Sequence, residues 1–386
     1  SNAYLTAQQL DQMEPFYPLH VRICDGCFLV QLEQYECPET IFGNYAYFSS
    51  YSESWLNHAR QYAERMIQEF ALDSNSLVVE VASNDGYLLQ FFQARDIRVL
   101  GVEPASNVAV AAERKGIPTL VQFFGSATAR ELAEAGKQAD LLIGNNVLAH
   151  VPDLNDFIAG LKLLLKPHGA ITVEFPHLMR LIEGNQFDTI YHEHFSYFSL
   201  CTAERIFRAH LFTVFDVEEL TTHGGSLRLR IRHAEDDQIP VAARVAELKS
   251  REIAAGMQDL SRFSLFAEKV QETKRGLLEF LIRVKRQGKS VAGYGAPAKA
   301  NTLLNFCGIG TDFIDYTVDI SPHKQNRFLP GTHIPVFSPE RIRETRPDYV
   351  LILPWNLRDE VVSQMAHIRE WGGRFVIPIP RAEVLI

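Results

Sequence analysis

The sequence predicts an α/β protein carrying two successive parallel sheets, and three observations predict it. Apolar runs of strand length alternate with helical patterns twice over, first at 77–175 and again at 290–378. The strand-like runs are apolar throughout instead of alternating, which is the pattern of a sheet covered by helices on both faces. Between the two alternating units, residues 241–287 are charged and nearly free of Pro and Gly, and read as one or two connecting helices.

The elements follow in order. Residues 1–45 are irregular, and 50–72 read as a helix with Trp55, Ala59, Tyr62, Met66 and Ile67 near helical spacing. Strands are expected at 77–82, 99–102, 119–121, 141–144 and 170–175, with helices at 87–95, 105–115, 126–135 and 154–165 between them. The segments 212–220 and 225–232 look like a later antiparallel pair. In the second unit, strands are expected at 290–294, 313–319, 348–353 and 374–378, and helices at 297–305, 338–345 and 357–371. The domain boundaries that follow are 1–48, 49–235, 236–288 and 289–386.

Bulk properties narrow the function. A chain of 386 residues, 46% hydrophobic and 22% charged, has the length for two or three domains and their cores. A formal net charge of −9 disfavours a protein that tracks a nucleic-acid backbone. No apolar run is long enough for a transmembrane helix, so no membrane partner is expected. Five cysteines, an odd number, do not form a disulfide framework, and a reducing cytoplasm is the expected setting. A monomer is the default assembly.

The strongest local motif is Val78-Val79-Glu80-Val81-Ala82-Ser83-Asn84-Asp85-Gly86, an apolar strand running into a small, polar turn and a helix start. Such a turn lies at the carboxyl end of a strand, where doubly wound sheets bind ligands. Small residues such as Gly86 let the backbone approach a cofactor closely. Acidic side chains there suit the charged amino-acid moiety of S-adenosylmethionine (SAM). Glu103, before Pro104 and 18 residues after Asp85, ends the next strand and can accept hydrogen bonds from a ribose diol. Asn145 and Asn146 end a later strand beside the same crevice. The competing dinucleotide reading needs G-x-G-x-x-G for a pyrophosphate, and only Gly86 is present. The motif therefore points to a SAM-dependent methyltransferase of class I, with a Rossmann-like domain.

At this point the chain resembles the sugar C-methyltransferases that act on nucleotide-linked 4-keto-deoxysugars. The resemblance runs through Tyr17-Pro18-Leu19, Cys24-x-x-Cys27-Phe28-Leu29-Val30-Gln31-Leu32 and Tyr47-Phe48-Ser49-Ser50. It continues through Tyr191-His192-Glu193-His194-Phe195, His223-Gly224-Gly225-Ser226, Gly293-Tyr294-Gly295-Ala296-Pro297-Ala298-Lys299 and Lys324 to Gly331. It implies an N-terminal zinc-binding segment, the central methyltransferase domain and a C-terminal Rossmann-like domain. It also implies His194 as the active-site base, with Tyr191, Glu193, His150 and Tyr47 in the active site and C3 of the hexose as the methylated carbon. One departure stands out: the family's zinc site resembles two C-x-x-C pairs, whereas here only Cys24 and Cys27 lie near the start. Structural zinc wants four ligands, so zinc is expected in a longer chain with the second pair upstream, with Cys37 a poor substitute.

Methylating carbon needs a carbon nucleophile, and a C–H beside a ketone is acidic enough for one base to ionise. The protein then supplies proton abstraction, oxyanion stabilisation and alignment. His194 is the expected base, Glu193 an orienting group or hydroxyl partner, and Tyr191 a donor to the ketone oxygen or a partner in the proton transfer. His223, with Gly224, is a further candidate at the same mouth, for the substrate. His192 and His194 could share a face and hold a metal, but spacing suggests no third ligand.

In the second unit, the Gly-rich turn Gly293 to Lys299 opens a helix whose N-terminal N–H groups favour an anion. A nucleotide diphosphate is the expected guest, with Tyr294, Lys299, Asn326 and Arg327 as contacts. Three other functions compete: O- or N-methylation of a sugar nucleotide, an NAD(P)-dependent oxidoreductase using the Gly-rich turn, and a non-catalytic binder of SAM or nucleotide sugar.

Overall fold

The structure, a computed structural model, describes residues 2–43, 48–51 and 53–385. The expected active-site Tyr47 lies outside the described residues. The chain forms two compact units: one of residues 21–178 and 193–258, the other of 1–20, 179–192 and 259–386. Among the described residues no helix is long and apolar enough to cross a membrane.

The first unit opens with two short strands, β1 (Val21–Ile23) and β2 (Val30–Leu32), and helices α1 (Pro38–Phe42) and α2 (Glu53–Glu69). The alternating run follows: β3 (Leu77–Val81), α3 (Leu89–Gln93), β4 (Arg98–Val102), α4 (Ser106–Arg114), β5 (Thr119–Leu120), α5 (Ser126–Glu134), β6 (Ala139–Asn145), α6 (Leu154–Leu164) and β7 (Leu165–Pro176). The chain passes through α7 (Leu178–Glu183) and a segment of the second unit, then returns with β8 (Ser196–Tyr197), α8 (Leu200–Ala209), β9 (Phe212–Leu220), β10 (Ser226–His233) and α9 (Ala243–Ala254).

The main sheet has the order β5-β4-β3-β6-β7-β10-β9. Strands β5 to β7 are parallel, while β10 runs antiparallel to both β7 and β9. That is the strand order of class I methyltransferases, with β3 and β6 meeting at the point where the order reverses. Val78, Leu141 and Ile143 are fully buried beneath Met66 and Ala63 of α2 and Leu89 and Phe92 of α3. Burying each such side chain contributes roughly 1.5–3 kcal/mol. A separate three-stranded sheet, β1-β2-β8, pairs Val30 with Tyr197 and Gln31 with Ser196.

From residue 259 onward the second unit runs through α10 (Leu260–Arg286), β11 (Val291–Tyr294), α11 (Ala298–Cys307), β12 (Thr317–Val318), β13 (Arg327–Phe328), β14 (Pro335–Phe337), α12 (Glu340–Thr345), β15 (Tyr349–Ile352), α13 (Arg358–Gln364), β16 (Arg374–Ile377) and β17 (Glu383–Leu385). Its sheet has the order β13-β14-β12-β11-β15-β16-β17, parallel except for the antiparallel edge strands β13 and β17. This is a second Rossmann-like sheet, as expected. Core side chains cover both faces: Leu303, Leu304 and Leu281 on one, Ile342, Val361 and Ile368 on the other.

Candidate active site

The turn after β3 is built to keep polar atoms inside. Ala82, Asn84 and Gly86 all take positive φ (57°, 51° and 73°), which winds residues 82–86 into a tight polar loop at the strand end. At Gly86 a side chain would also strike Ile117, since a Cβ would lie 2.9 Å from its Cγ1. Gly101 of β4 makes room next door: a Cβ there would lie 2.3 Å from Ser83 Oγ. The Glu103 carboxylate then ties the two strand ends together, accepting the Asn84 and Ala105 backbone N–H groups at 2.9 Å each. The Asn84 side chain accepts the Ser49 N–H at 3.0 Å, and Lys115 donates to Asp85 at 3.2 Å.

Buried polar atoms at these strand ends lack a partner within the protein: Glu80 Oε2, Ser83 Oγ, Asp85 Oδ1 and the side-chain oxygens of Asn145 and Asn146. Buried polar groups are rarely left unpaired, so a cluster of them marks a place for a ligand. The cluster consists of acceptors and one hydroxyl, and its two carboxylates, Glu80 and Asp85, lie close to a third, Glu103. Burial, and then the neighbouring Glu103, push the Glu80 carboxyl well above its usual range; burial also raises Glu103. A cationic ligand relieves both, and SAM carries an α-ammonium and a sulfonium. The set Glu80, Ser83, Asn84, Asp85, Gly86, Glu103, Asn145 and Asn146 therefore fits SAM, with Pro104 between Glu103 and the start of α4.

In the ligand-free protein the raised carboxyls hold protons above the ordinary carboxylate value, and their contribution to stability falls as pH rises through the raised values. A cation favours the ionised forms, so SAM binding is expected to release protons and to tighten with rising pH before levelling off. Calorimetry in two buffers of different ionisation enthalpy measures the release; uptake of protons would contradict this picture.

The histidines come together at the end of β6. Asn146, at φ 54°, turns the chain into a 3-10 turn, Leu148–His150, and Asp153 caps α6 by accepting the Asp156 N–H at 3.0 Å. The Phe195 backbone clamps the returning segment, donating to Ala149 O at 2.7 Å and accepting from Leu32 N at 3.0 Å. His194 and His150 thereby meet edge to face with ring centroids 4.7 Å apart, and Tyr197 packs 5.9 Å from His194. Burial lowers the pKa of His150, so this ring is neutral near pH 7. Its Nδ1 lies 2.8 Å from the Glu193 carbonyl oxygen, which only accepts; Nδ1 therefore carries the proton and Nε2 the lone pair. His194 and Glu193 are both buried.

His192 goes elsewhere: its Nε2 lies 3.0 Å from Pro18 O and its ring meets Tyr17 edge-on. Among the described residues no group of three metal-ligating side chains comes together. Cys24 and Cys27 face each other, and Cys24 accepts hydrogen bonds from the Cys27 and Gly26 N–H groups, which lower its pKa. Such N–H bonds favour the thiolate that binds zinc. The pair fits half of a tetrahedral site.

His223 sits at φ 55° in the turn between β9 and β10, which Gly224 and Gly225 complete at φ 88° and 121°. Sequence reasoning missed what lies around it. Trp55 of α2 contacts the rings of His223, Tyr87 and His58 at 5.3, 6.1 and 4.9 Å. Beneath them Glu174 accepts from Thr222 at 3.0 Å and from Arg228 at 2.7 Å. Burial alone would raise Glu174, but His58 and Arg228 overcome it and hold the carboxyl at about 2. Because Tyr87 also hydrogen-bonds Glu80, this wall is continuous with the acidic turn.

In the second unit, the Tyr294 hydroxyl donates to Gln364 at 3.0 Å among core side chains. Lys299 donates to Asn356 at 2.7 Å. Asn326, at φ 60°, turns the chain into β13, where Arg327 pairs with Val336 at the sheet edge. The Gly-rich turn is occupied by the unit's own groups: Asp319 accepts the Ala296 N–H, and Tyr4 and Lys324 donate to Ala296 O.

Three family models match in tandem: "Putative zinc binding domain" over residues 1–42, "Methyltransferase domain" over 55–217 and "C-methyltransferase C-terminal domain" over 221–380. The chain is 37% identical to C-methyltransferase NovU of Streptomyces niveus over 96% of this chain and 88% of that one. A ubiquinone biosynthesis O-methyltransferase of Bartonella tribocorum is 29% identical over 28% of this chain and 48% of its own. Among solved structures, magnesium protoporphyrin IX methyltransferase from Synechocystis PCC 6803 with bound SAM matches at 16% identity and a TM-score of 0.34, over 46% of this chain and 81% of that one. The O-methyltransferase match stops at about a quarter of the chain, whereas the C-methyltransferase match runs through all three segments. The chain thus belongs to the SAM-dependent C-methyltransferase family.

Proposed function

We propose that the substrate is a nucleotide-linked 4-keto-deoxysugar and that the methyl group goes to the carbon beside its keto group, C3. One observation carries the reading: two buried imidazoles in edge contact, His150 and His194, of which His150 is neutral and oriented by the Glu193 carbonyl. A hydroxyl or amine acceptor attacks through a lone pair it already has. A carbon acceptor must first lose a proton, and a ketone neighbour brings that proton within reach of an imidazole base. SAM, when bound, supplies an electrophilic methyl on a sulfonium. His194 removes the proton, and the charge moves to the ketone oxygen as an enolate. Tyr191 donates a hydrogen bond to that oxygen, and Glu193 orients the site. His150 holds His194 at a fixed angle, and its Nε2 lone pair accepts from a sugar hydroxyl. His223 and Gly224 flank the sugar.

The test is hydrogen exchange on the substrate. A panel of nucleotide-linked 4-keto sugars is incubated in D₂O with enzyme and no SAM. Deuterium is expected at the carbon next to the keto group, with methylation at that carbon once SAM is added. A protein that binds SAM but exchanges no member of the panel would have another substrate.

A further inference from the structure

The segment entering the active-site motif is held with more buried polar contacts than a surface turn requires. Asn185 donates its amide to Thr273 Oγ1 of α10 at 2.6 Å, and Thr273 donates in turn to Pro380 O. The Phe187 ring packs edge-on against Phe306 of α11, with centroids 5.2 Å apart. Ile190 O accepts the Thr302 hydroxyl of α11 at 2.9 Å. Between them lies Asp188, fully buried, whose Oδ2 accepts the Trp355 indole N–H at 2.7 Å. The Lys299 ammonium sits 4.7 Å from the Trp355 ring centroid. Burial pushes the Asp188 carboxyl up to about 6 against the pull of Lys299. An apolar side chain would fill this position without the cost of burying a carboxylate. What the carboxylate adds is direction: one strong acceptor fixes the angle of the turn just before Tyr191.

We propose that Asp188 is a positioning residue for methyl transfer: with Trp355 and Lys299 it locks the turn over 187–190 that presents Tyr191. This rests on the assignment of Tyr191 to the ketone oxygen made above. Asp188→Asn keeps an acceptor for the indole, whereas Asp188→Leu and Trp355→Phe remove the bond. Losing one buried hydrogen bond of this kind is expected to lower kcat about thirtyfold in the last two, with KM within about threefold of the native value. Asp188→Asn is expected to stay within about threefold of native kcat, a rescue that packing alone would not give. Hydrogen exchange read by mass spectrometry gives a second arm that needs no substrate. Amides over 187–192 are expected to exchange at least about tenfold faster in Trp355→Phe, while β11 and β15 keep their protection. Native exchange over 187–192, or native kcat in both Asp188→Leu and Trp355→Phe, overturns the proposal. If the native enzyme turns over no sugar in the panel, the substrate reading fails by itself, and the exchange arm still decides whether Asp188 anchors the turn.

Discussion

His194→Asn is expected to lower turnover by about three orders of magnitude while SAM affinity stays within about twofold of native. General-base catalysis contributes roughly 10²–10⁴ in rate, and asparagine fills much of the same space without a basic nitrogen. The variant keeps the backbone that matters for the fold: the Phe195 N–H to Ala149 O bond and the Leu32 N–H to Phe195 O bond do not involve the side chain. The SAM-fitting residues sit at the ends of β3, β4 and β6 and do not include this ring, so calorimetry with SAM separates loss of chemistry from loss of the domain. Exchange of the substrate α-hydrogen in D₂O should fall in step with turnover, because both need the same proton transfer. Undiminished turnover would move the base to another group, and His150, with its lone pair on Nε2, would be next in line.

Trp355 and Trp55 show where the sequence stops being readable. The repeated alternation of strand and helix is local information, and β3, α6 and β9 lie within a few residues of where apolar patterning puts them, while the helical stretch expected over 241–287 divides into α9 and α10. The small sheet β1-β2-β8 was not legible, because strands of two or three residues have no period and the Val30 to Tyr197 pairing spans most of the first unit. The strand expected at 313–319 shortens to Thr317–Val318, since Ile314 is spent in the core of the unit instead of in the ladder. The helix expected at 357–371 breaks at Met365 into a 3-10 turn. The acidic SAM turn was legible because strand, turn and helix are contiguous. The wall of Trp55, His58, Glu174, Arg228 and His223 was not, because its members come from α2, β7 and the β9–β10 hairpin. A signal did exist: Glu174 interrupts an apolar run, and Arg228, Arg230 and Arg232 alternate along a strand that is buried over its whole length. Buried charges need partners, and Glu174, Glu218 and Asp216 supply them to Arg228 and Arg230.

Glu103→Ala is expected to weaken SAM binding by about 100-fold or more, for two separable reasons. Each carboxylate oxygen accepts one backbone N–H, from Asn84 and from Ala105, which leaves lone pairs free for a vicinal diol. Removing the side chain takes away the acceptors such a diol would use, each bond being worth about 1.5–3 kcal/mol when one partner is charged. It also strands two buried N–H groups and frees the 82–86 turn, whose positive-φ residues then lack the clamp that holds them. Glu103→Gln separates the two effects. Its amide oxygen still accepts one N–H, but its NH₂ end faces the other N–H as donor against donor, so an intermediate loss of roughly tenfold is expected. The glutamine also carries no charge, so any part of the proton release on SAM binding that comes from Glu103 disappears with it, leaving the Glu80 share. A Glu103→Ala protein with native SAM affinity would mean that the diol is held elsewhere and that this carboxylate only shapes the turn.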